Sequence, residues 1–221
     1  MKIADSLYGF LWDSMTQNNC NTYLIDGPTR ILIDPGHYRL FDHVRNGLTE
    51  LNIGLDGIGL VLCTHAHPDH IEAVQFFKGS PAAVAIHEKD WQLVKSMTDA
   101  LRAQGGVSID PVRPDFFLQE GKLSVNGLDF EVFHTPGHSP GEICLYWTEK
   151  KVLVTGDLIF KEGVGRTDLP GGSAKALKDS IRRLKDLDIE YILPGHGDII
   201  SGSRNIRQNF EEIENHWFGY L

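Results

Sequence analysis

Three histidines and an aspartate lie within a six-residue span of the segment THAHPDH at residues 64–70. Imidazole nitrogens and carboxylate oxygens are ligands that suit zinc and iron. His65 and His67 are two positions apart, so on an extended backbone both side chains project to the same side and can bind one ion. The proline that follows favours a turn into a helix, which directs Asp69 and His70 towards a neighbouring position. The spacing therefore predicts two adjacent metal ions.

A purely structural explanation of this cluster is the alternative. A single histidine is usually an ordinary surface or core residue. Burying three imidazoles and a carboxylate without a cation or hydrogen-bond partners would, however, cost roughly several kcal/mol. We therefore favour the metal-binding hypothesis.

Three further candidate ligands lie in Gly- and Pro-containing loops later in the chain. His138 lies in TPGHSPG at 135–141, Asp157 ends the apolar run 152–157, and His196 lies in LPGHG at 193–197. Each follows a strand-like apolar segment, a pattern typical of loops that converge on a site at one edge of a sheet. His134 competes with His138 for the ligand role. We favour His138 because His134 lies inside the predicted strand.

These motifs, which extend from Asp34 to His196, resemble those of the metallo-β-lactamase superfamily and, within it, of the glyoxalase II-like branch. The resemblance implies a dinuclear site in which all seven positions carry the family's residue type. The implied ligands are His65, His67 and His138 for the first ion, Asp69, His70 and His196 for the second, and Asp157 as the bridge. Zinc is the metal we expect, although iron and manganese also accept histidine and aspartate ligands.

The implied activity is metal-dependent hydrolysis of a small-molecule thioester or related ester or lactone. A metal-bridging hydroxide would attack the carbonyl carbon, because bound cations lower the pKa of water to about 7. Asp69 could orient the water as well as bind metal. The alternative is a mononuclear-iron persulfide dioxygenase, which resembles this chain through the same motifs but holds its iron with the residues matching His65, His138 and Asp157. A metal-binding module without turnover is a third hypothesis.

Two further residues have predicted roles near the metal site. Asp34 ends a strand before Pro-Gly, and the resemblance suggests that it supports the metal loop from beneath, whereas a turn-forming role is the alternative. The loop GVGRTDLPGG at 163–172 resembles loops of glyoxalase II-like hydrolases and persulfide dioxygenases. We expect Arg166 and Asp168 to pair and fix this loop. Alternatively, Arg166 binds a carboxylate of the substrate.

The hydrophobic pattern predicts an α/β (α+β) fold in one domain, 1–221, and the resemblance implies a four-layer αββα sandwich of the metallo-β-lactamase fold. The predicted strands are 21–26, 29–34, 58–63, 82–86, 122–125, 128–134, 143–147, 152–155 and 191–193. The predicted helices are 38–51, 68–78, 88–102, a helix capped by Ser173, and 205–216, with a loop at 104–113.

Composition limits the class of protein further. The net charge of −9 and the lack of a basic run argue against a nucleic-acid partner. The odd number of scattered cysteines argues against a disulfide framework. The first residues lack the basic and apolar pattern of a signal peptide, so we expect a soluble cytoplasmic protein. The aromatic segment 209–221 packs on the fold, lines a pocket or forms a homodimer contact.

Overall fold

The computed structural model describes residues 1–103 and 113–221, and for residues 99–103 it describes the backbone alone. The loop expected at 104–113 therefore falls almost entirely outside the described residues. The chain forms two compact units, residues 1–118 and residues 119–221. Our reading of the whole chain as one domain stays a prediction.

The first unit contains, within its described residues, a seven-stranded mixed sheet in the order β1 to β7. Strands β1 to β4 pair antiparallel, and β4 to β7 pair parallel. The strands are β1 (Lys2–Ala4), β2 (Leu7–Phe10), β3 (Thr22–Ile25), β4 (Ile31–Ile33), β5 (Leu60–Leu62), β6 (Ala83–His87) and β7 (Phe116–Leu118). The helices are α1 (Asp42–Glu50), α2 (Pro68–Ile71) and α3 (Glu88–Ala103).

The helix predicted at 68–78 is shorter than the sequence pattern indicates. After α2 the backbone tightens into a 3₁₀-helix, Glu72–Phe77. The cause is tertiary hydrogen bonding: the Ala73 N–H donates to the Gly36 carbonyl at 2.8 Å, and the Gly36 N–H donates to the His70 carbonyl at 3.2 Å. These bonds replace α-helical ones and attach the end of α2 to the turn after β4.

The second unit contains a six-stranded sheet in the order β15-β14-β11-β10-β9-β8 and a small β12-β13 hairpin. All pairs in the larger sheet are antiparallel except β11 with β14. The strands are β8 (Gly121–Val125), β9 (Leu128–His134), β10 (Ile143–Trp147), β11 (Val152–Gly156), β12 (Ile159–Phe160), β13 (Gly163–Val164), β14 (Tyr191–Pro194) and β15 (Ile200–Ser201). The helices are α4 (Ala174–Leu184) and α5 (Ser203–Glu212), the latter followed by a π-helical turn, Ile213–Trp217.

Helix α4 shows how sequence determines a local element of this unit. The Ser173 hydroxyl accepts a hydrogen bond from the Ala176 N–H, which caps the helix as predicted. Leu177, Ile181 and Leu184 are fully buried in the core. Removing each of these side chains from water stabilises the fold by about 1.5–3 kcal/mol. Within the described part of the chain, no helix is both long and apolar enough to cross a membrane.

The cysteines test the packing of both units. Cys20, Cys63 and Cys144 are each at most 1% exposed, and none forms a disulfide. Burial raises the pKa of the Cys63 and Cys144 thiols, which suppresses the reactive thiolate. We expect an aromatic disulfide reagent to leave all three thiols of the native protein unmodified over minutes and to modify all three in guanidinium. Rapid modification of the native protein would contradict the observed packing.

Candidate metal centre

Two parallel strands position the predicted ligands of the first unit. Ile33 of β4 lies opposite Leu62 of β5, and the Asp34 N–H donates to the Leu62 carbonyl at 3.0 Å. Both strands therefore end at the same edge of the sheet. The loop 64–70 begins there, directly beside Asp34.

Asp34 is hydrogen-bonded to the first and the last residue of this loop. Its support of a metal site stays a prediction. Its side chain is 1% exposed and its backbone has a positive φ of 53°. The carboxylate accepts hydrogen bonds from the Thr64 N–H at 2.7 Å, the Thr64 hydroxyl at 2.7 Å and His70 Nδ1 at 2.9 Å. A single buried carboxylate thus fixes the start and the end of the loop.

The same bonds determine which nitrogen of each imidazole can bind a metal. The Thr64 hydroxyl donates its proton to Asp34, so it accepts from His65 Nδ1, at 3.1 Å. His70 Nδ1 donates to Asp34. Because Nδ1 carries the proton in both rings, Nε2 carries the lone pair. Orientation of an imidazole through its second nitrogen is typical of metal ligands.

The ligand atoms of the first unit lie close to one another. Those of His65 and His67, of His65 and His70, and of Asp69 and His70 lie within 4.8 Å in each pair. His65 and His70 are fully buried, and Asp69 is 8% exposed. Three imidazoles and one carboxylate thus form a cluster of the composition that binds zinc or iron.

Two residues that the sequence reasoning missed support this loop. Asn18 donates its side-chain amide to Asp69 Oδ2 at 2.7 Å. Asp90, on α3 and fully buried, accepts from the Ala66 N–H at 2.8 Å. Asn18 therefore restrains one candidate ligand carboxylate, and Asp90 restrains the backbone between two candidate ligand histidines.

The candidate ligands of the second unit also lie at one sheet edge. Val154 of β11 lies opposite Leu193 of β14 in parallel register, so Asp157 and His196 follow neighbouring strand ends. Strand β9 runs in the same direction, because it and β11 both pair antiparallel with β10. The loop that carries His138 follows β9 and therefore starts at this edge.

Asp157 lies between two imidazoles in this unit. Its Oδ2 atom is 3.4 Å from His138 Nε2 and 3.4 Å from His196 Nε2. His138 Nδ1 donates to the Arg166 carbonyl at 2.7 Å, so its Nε2 carries a lone pair. A lone pair facing a carboxylate oxygen brings two acceptors together, and a divalent cation bound by both would stabilise that arrangement. The donor set of this unit therefore fits a metal ion.

A third residue missed in the sequence, Glu142, supports Asp157. Glu142 is fully buried, and its Oε1 atom accepts the Asp157 N–H at 2.8 Å. The sequence offers no local sign of this role, because Glu142 precedes a strand and lies outside every ligand motif.

The predicted pairing of Arg166 with Asp168 is present. Arg166 Nε and one terminal guanidinium nitrogen each lie 2.7 Å from an Asp168 carboxylate oxygen. Hydrogen bonding to the guanidinium lowers the pKa of Asp168 to about 2. The pair fixes the backbone whose carbonyl orients His138. Binding of a substrate carboxylate by Arg166 stays a prediction.

Other histidines have structural contacts instead. His37 Nδ1 lies 2.9 Å from a Glu72 carboxylate oxygen. His134 Nε2 lies 3.0 Å from the Pro140 carbonyl, which bridges the loop that carries His138. Neither contact places these rings among the candidate ligands.

Comparison with known proteins identifies the class to which the fold and these residues belong. The Metallo-beta-lactamase superfamily profile matches residues 15–196. The chain therefore belongs to the metallo-β-lactamase superfamily, and the predicted fold is confirmed.

Individual relatives are similar over most of the chain. Hydroxyacylglutathione hydrolase GloC of Haemophilus influenzae is 36% identical over 200 residues, 87% of this chain and 92% of the relative. Acyl-coenzyme A thioesterase MBLAC2 of Gallus gallus is 31% identical over 216 residues, 86% and 76% of the two chains. The crystal structure of TTHA1623 in a di-iron-bound form is 36% identical, with a TM-score of 0.69 over 82% of this chain and 89% of that one. The chain is thus a metallo-hydrolase of this superfamily.

Proposed function

We propose that this metallo-hydrolase is a dinuclear thioesterase of the glyoxalase II type. The observation that carries the proposal is the placement of Asp157 Oδ2 at 3.4 Å from the Nε2 atoms of both His138 and His196. One carboxylate oxygen near two imidazoles supports a bridging role for Asp157. The proposed ligands are those implied by the sequence, namely His65, His67, Asp69, His70, His138, Asp157 and His196.

The number and kind of metal form part of the proposal. The two clusters together offer five imidazoles and two carboxylates, enough for two ions that share one carboxylate. We propose zinc as the native metal. The di-iron form of TTHA1623 makes iron the main competitor. When bound, the ions would act as Lewis acids and supply hydroxide near neutral pH.

The residues of the chain would orient the reacting groups. Asn18 holds Asp69 Oδ2, which leaves Oδ1 to bind metal or to orient the attacking water. Asp34 fixes the tautomer and direction of His70 and, through Thr64, of His65. Such preorganised groups lower the barrier because they need no rearrangement during the reaction.

A thioester is the favoured substrate for two reasons. A thiolate has a conjugate acid of pKa about 8.5, so it can leave without being protonated by a general acid. The names of two relatives, hydroxyacylglutathione hydrolase and acyl-coenzyme A thioesterase, both describe thioester hydrolysis. We therefore propose a small-molecule acyl thioester as the substrate of a cytoplasmic enzyme that does not bind nucleic acid.

Metal content and thioester cleavage test the proposal on one sample. Protein purified without added metal is analysed for metals per chain, and release of free thiol is followed with lactoylglutathione and with a short acyl-coenzyme A. Oxygen uptake on glutathione persulfide is recorded in parallel. We expect about two metals per chain, thiol release and no oxygen uptake. One iron per chain with persulfide-dependent oxygen uptake would instead identify a dioxygenase.

Asn18 provides a milder test of the proposed role of Asp69. Asn18→Ala removes the 2.7 Å hydrogen bond to Asp69 Oδ2, and we expect metal affinity to fall by about tenfold. Gln17→Ala, one residue earlier on the same exposed loop, is the matched control and should bind metal as the parent does. Affinity is measured by competition with a chromophoric chelator. Equal affinities in the two variants would contradict the role assigned to Asn18.

A further inference from the structure

Glu142 is a fully buried carboxylate whose position is fixed at both ends. Its side-chain Oε1 accepts the Asp157 N–H at 2.8 Å. Its backbone carbonyl accepts the Thr135 N–H at 2.8 Å, which extends the pairing of β9 with β10 towards the loop. The side chain therefore reaches from the start of β10 to the end of the neighbouring strand β11, where it contacts the backbone of Asp157.

The hydrogen bond to the Asp157 N–H does not by itself require a carboxylate at position 142. A neutral oxygen, such as that of a glutamine side chain, could accept the Asp157 N–H equally well. A carboxylate is much more costly to bury than a neutral amide. The chain nevertheless places a carboxylate at a fully buried position. A cation bound by Asp157 would favour the ionised form of this carboxylate and would offset the cost of burying it.

We propose that Glu142 is a positioning residue that raises the affinity of the metal centre for divalent cations. It would do so by holding the Asp157 amide and by placing a second carboxylate beside the backbone of the proposed bridging residue. This inference rests on the metal site proposed above and adds a residue outside its ligand set.

The charge of an ionised Glu142 would raise the metal affinity of the site and would not lower it. A buried anion attracts a nearby cation more strongly than it would in water, because the interior screens charge weakly. The coupling is reciprocal: the free energy by which Glu142 stabilises the bound metal equals the free energy by which the metal stabilises the Glu142 carboxylate. Removing the charge should therefore weaken metal binding without weakening the metal-free fold.

Glu142→Gln separates charge from shape, because it keeps the acceptor oxygen and the side-chain volume. We expect zinc to bind about 10–100-fold more weakly than to the parent protein. We also expect the metal-free variant to unfold at the same temperature as the metal-free parent, or at a higher one, because a neutral amide is less costly to bury. Glu142→Asp keeps the charge but shortens the reach, and its zinc affinity should lie above that of Glu142→Gln.

The experiment measures zinc affinity by competition with a chromophoric chelator, and unfolding of each metal-free protein by heat. Zinc affinity of Glu142→Gln within about threefold of the parent would overturn the proposal, as would weaker binding by Glu142→Asp than by Glu142→Gln. Failure of Glu142→Gln to fold, or a lower metal-free unfolding temperature, would assign Glu142 a structural role only. A parent protein that binds no zinc or iron would refute the proposed function as well, whereas a parent that binds metal confines any failure to Glu142.

Discussion

Asp157→Ala is expected to remove most of the proposed thioesterase activity, with a fall in kcat of about 10²–10³-fold or more. The reason is geometric: Oδ2 of this one carboxylate lies 3.4 Å from His138 Nε2 and 3.4 Å from His196 Nε2. Without it, the proposed centre loses the ligand shared by both ions. Metal content should therefore fall from about two per chain to one or less.

The measurement combines elemental analysis with thiol release from a thioester on the same preparation. Asp179→Ala is the control, because Asp179 is also a carboxylate of this unit but is exposed and paired with Lys175, away from the candidate ligands. It should keep its metal and most of its activity. Unchanged turnover of Asp157→Ala with full metal content would contradict the bridging role.

The sequence predicts elements well where an extended hydrophobic pattern repeats. Strands β9 and β10 and helix α4 lie where the pattern places them, because each carries several apolar residues at a clear period. The β12-β13 hairpin has two residues in each strand and gives no such period. Strand β1 is likewise too short for a period, and it exists through its pairing with β2. Such elements depend on partners that the local sequence does not reveal.

In the candidate metal centre, too, some features are visible in the local sequence and others are not. The residue types and spacing of the candidate ligands are local features, so the sequence shows each of them, and the family resemblance assigns them to two ions. The supporting contacts are not local: Glu142 acts on Asp157 across 15 positions, and Asn18 on Asp69 across 51. No motif encodes such contacts, because each depends on how strands and loops pack in three dimensions. The support from Asp34 entered the sequence reasoning only through the family resemblance.

The glycines of the loop at 163–172 lead to the second large expected effect. A Cβ atom at Gly165 would lie 1.9 Å from the Asp157 carbonyl oxygen and 3.1 Å from His138 Cβ. A Cβ atom at Gly163, two positions earlier, would lie 3.8 Å from its nearest neighbour, Phe160 Cβ. Gly165→Ala must therefore displace backbone beside two proposed ligands, whereas Gly163→Ala has room.

We expect Gly165→Ala to lose about 1–3 kcal/mol or more of unfolding free energy, because an added methyl group in a packed site forces the backbone to move. Gly163→Ala should stay within about 1 kcal/mol of the parent, since alanine also restricts the unfolded chain. Denaturant unfolding of the metal-free proteins measures both changes.

Zinc affinity should also differ between Gly165→Ala and Gly163→Ala. The clash at Gly165 involves the Asp157 carbonyl and His138 Cβ, and the side chains of these two residues lie 3.4 Å apart. A backbone shift at Gly165 would move the ligand atoms of Asp157 and His138 relative to each other. Zinc affinity should therefore fall in Gly165→Ala and not in Gly163→Ala. Equal zinc affinities in the two variants would show that the loop does not set ligand geometry. Its glycine would then serve folding alone.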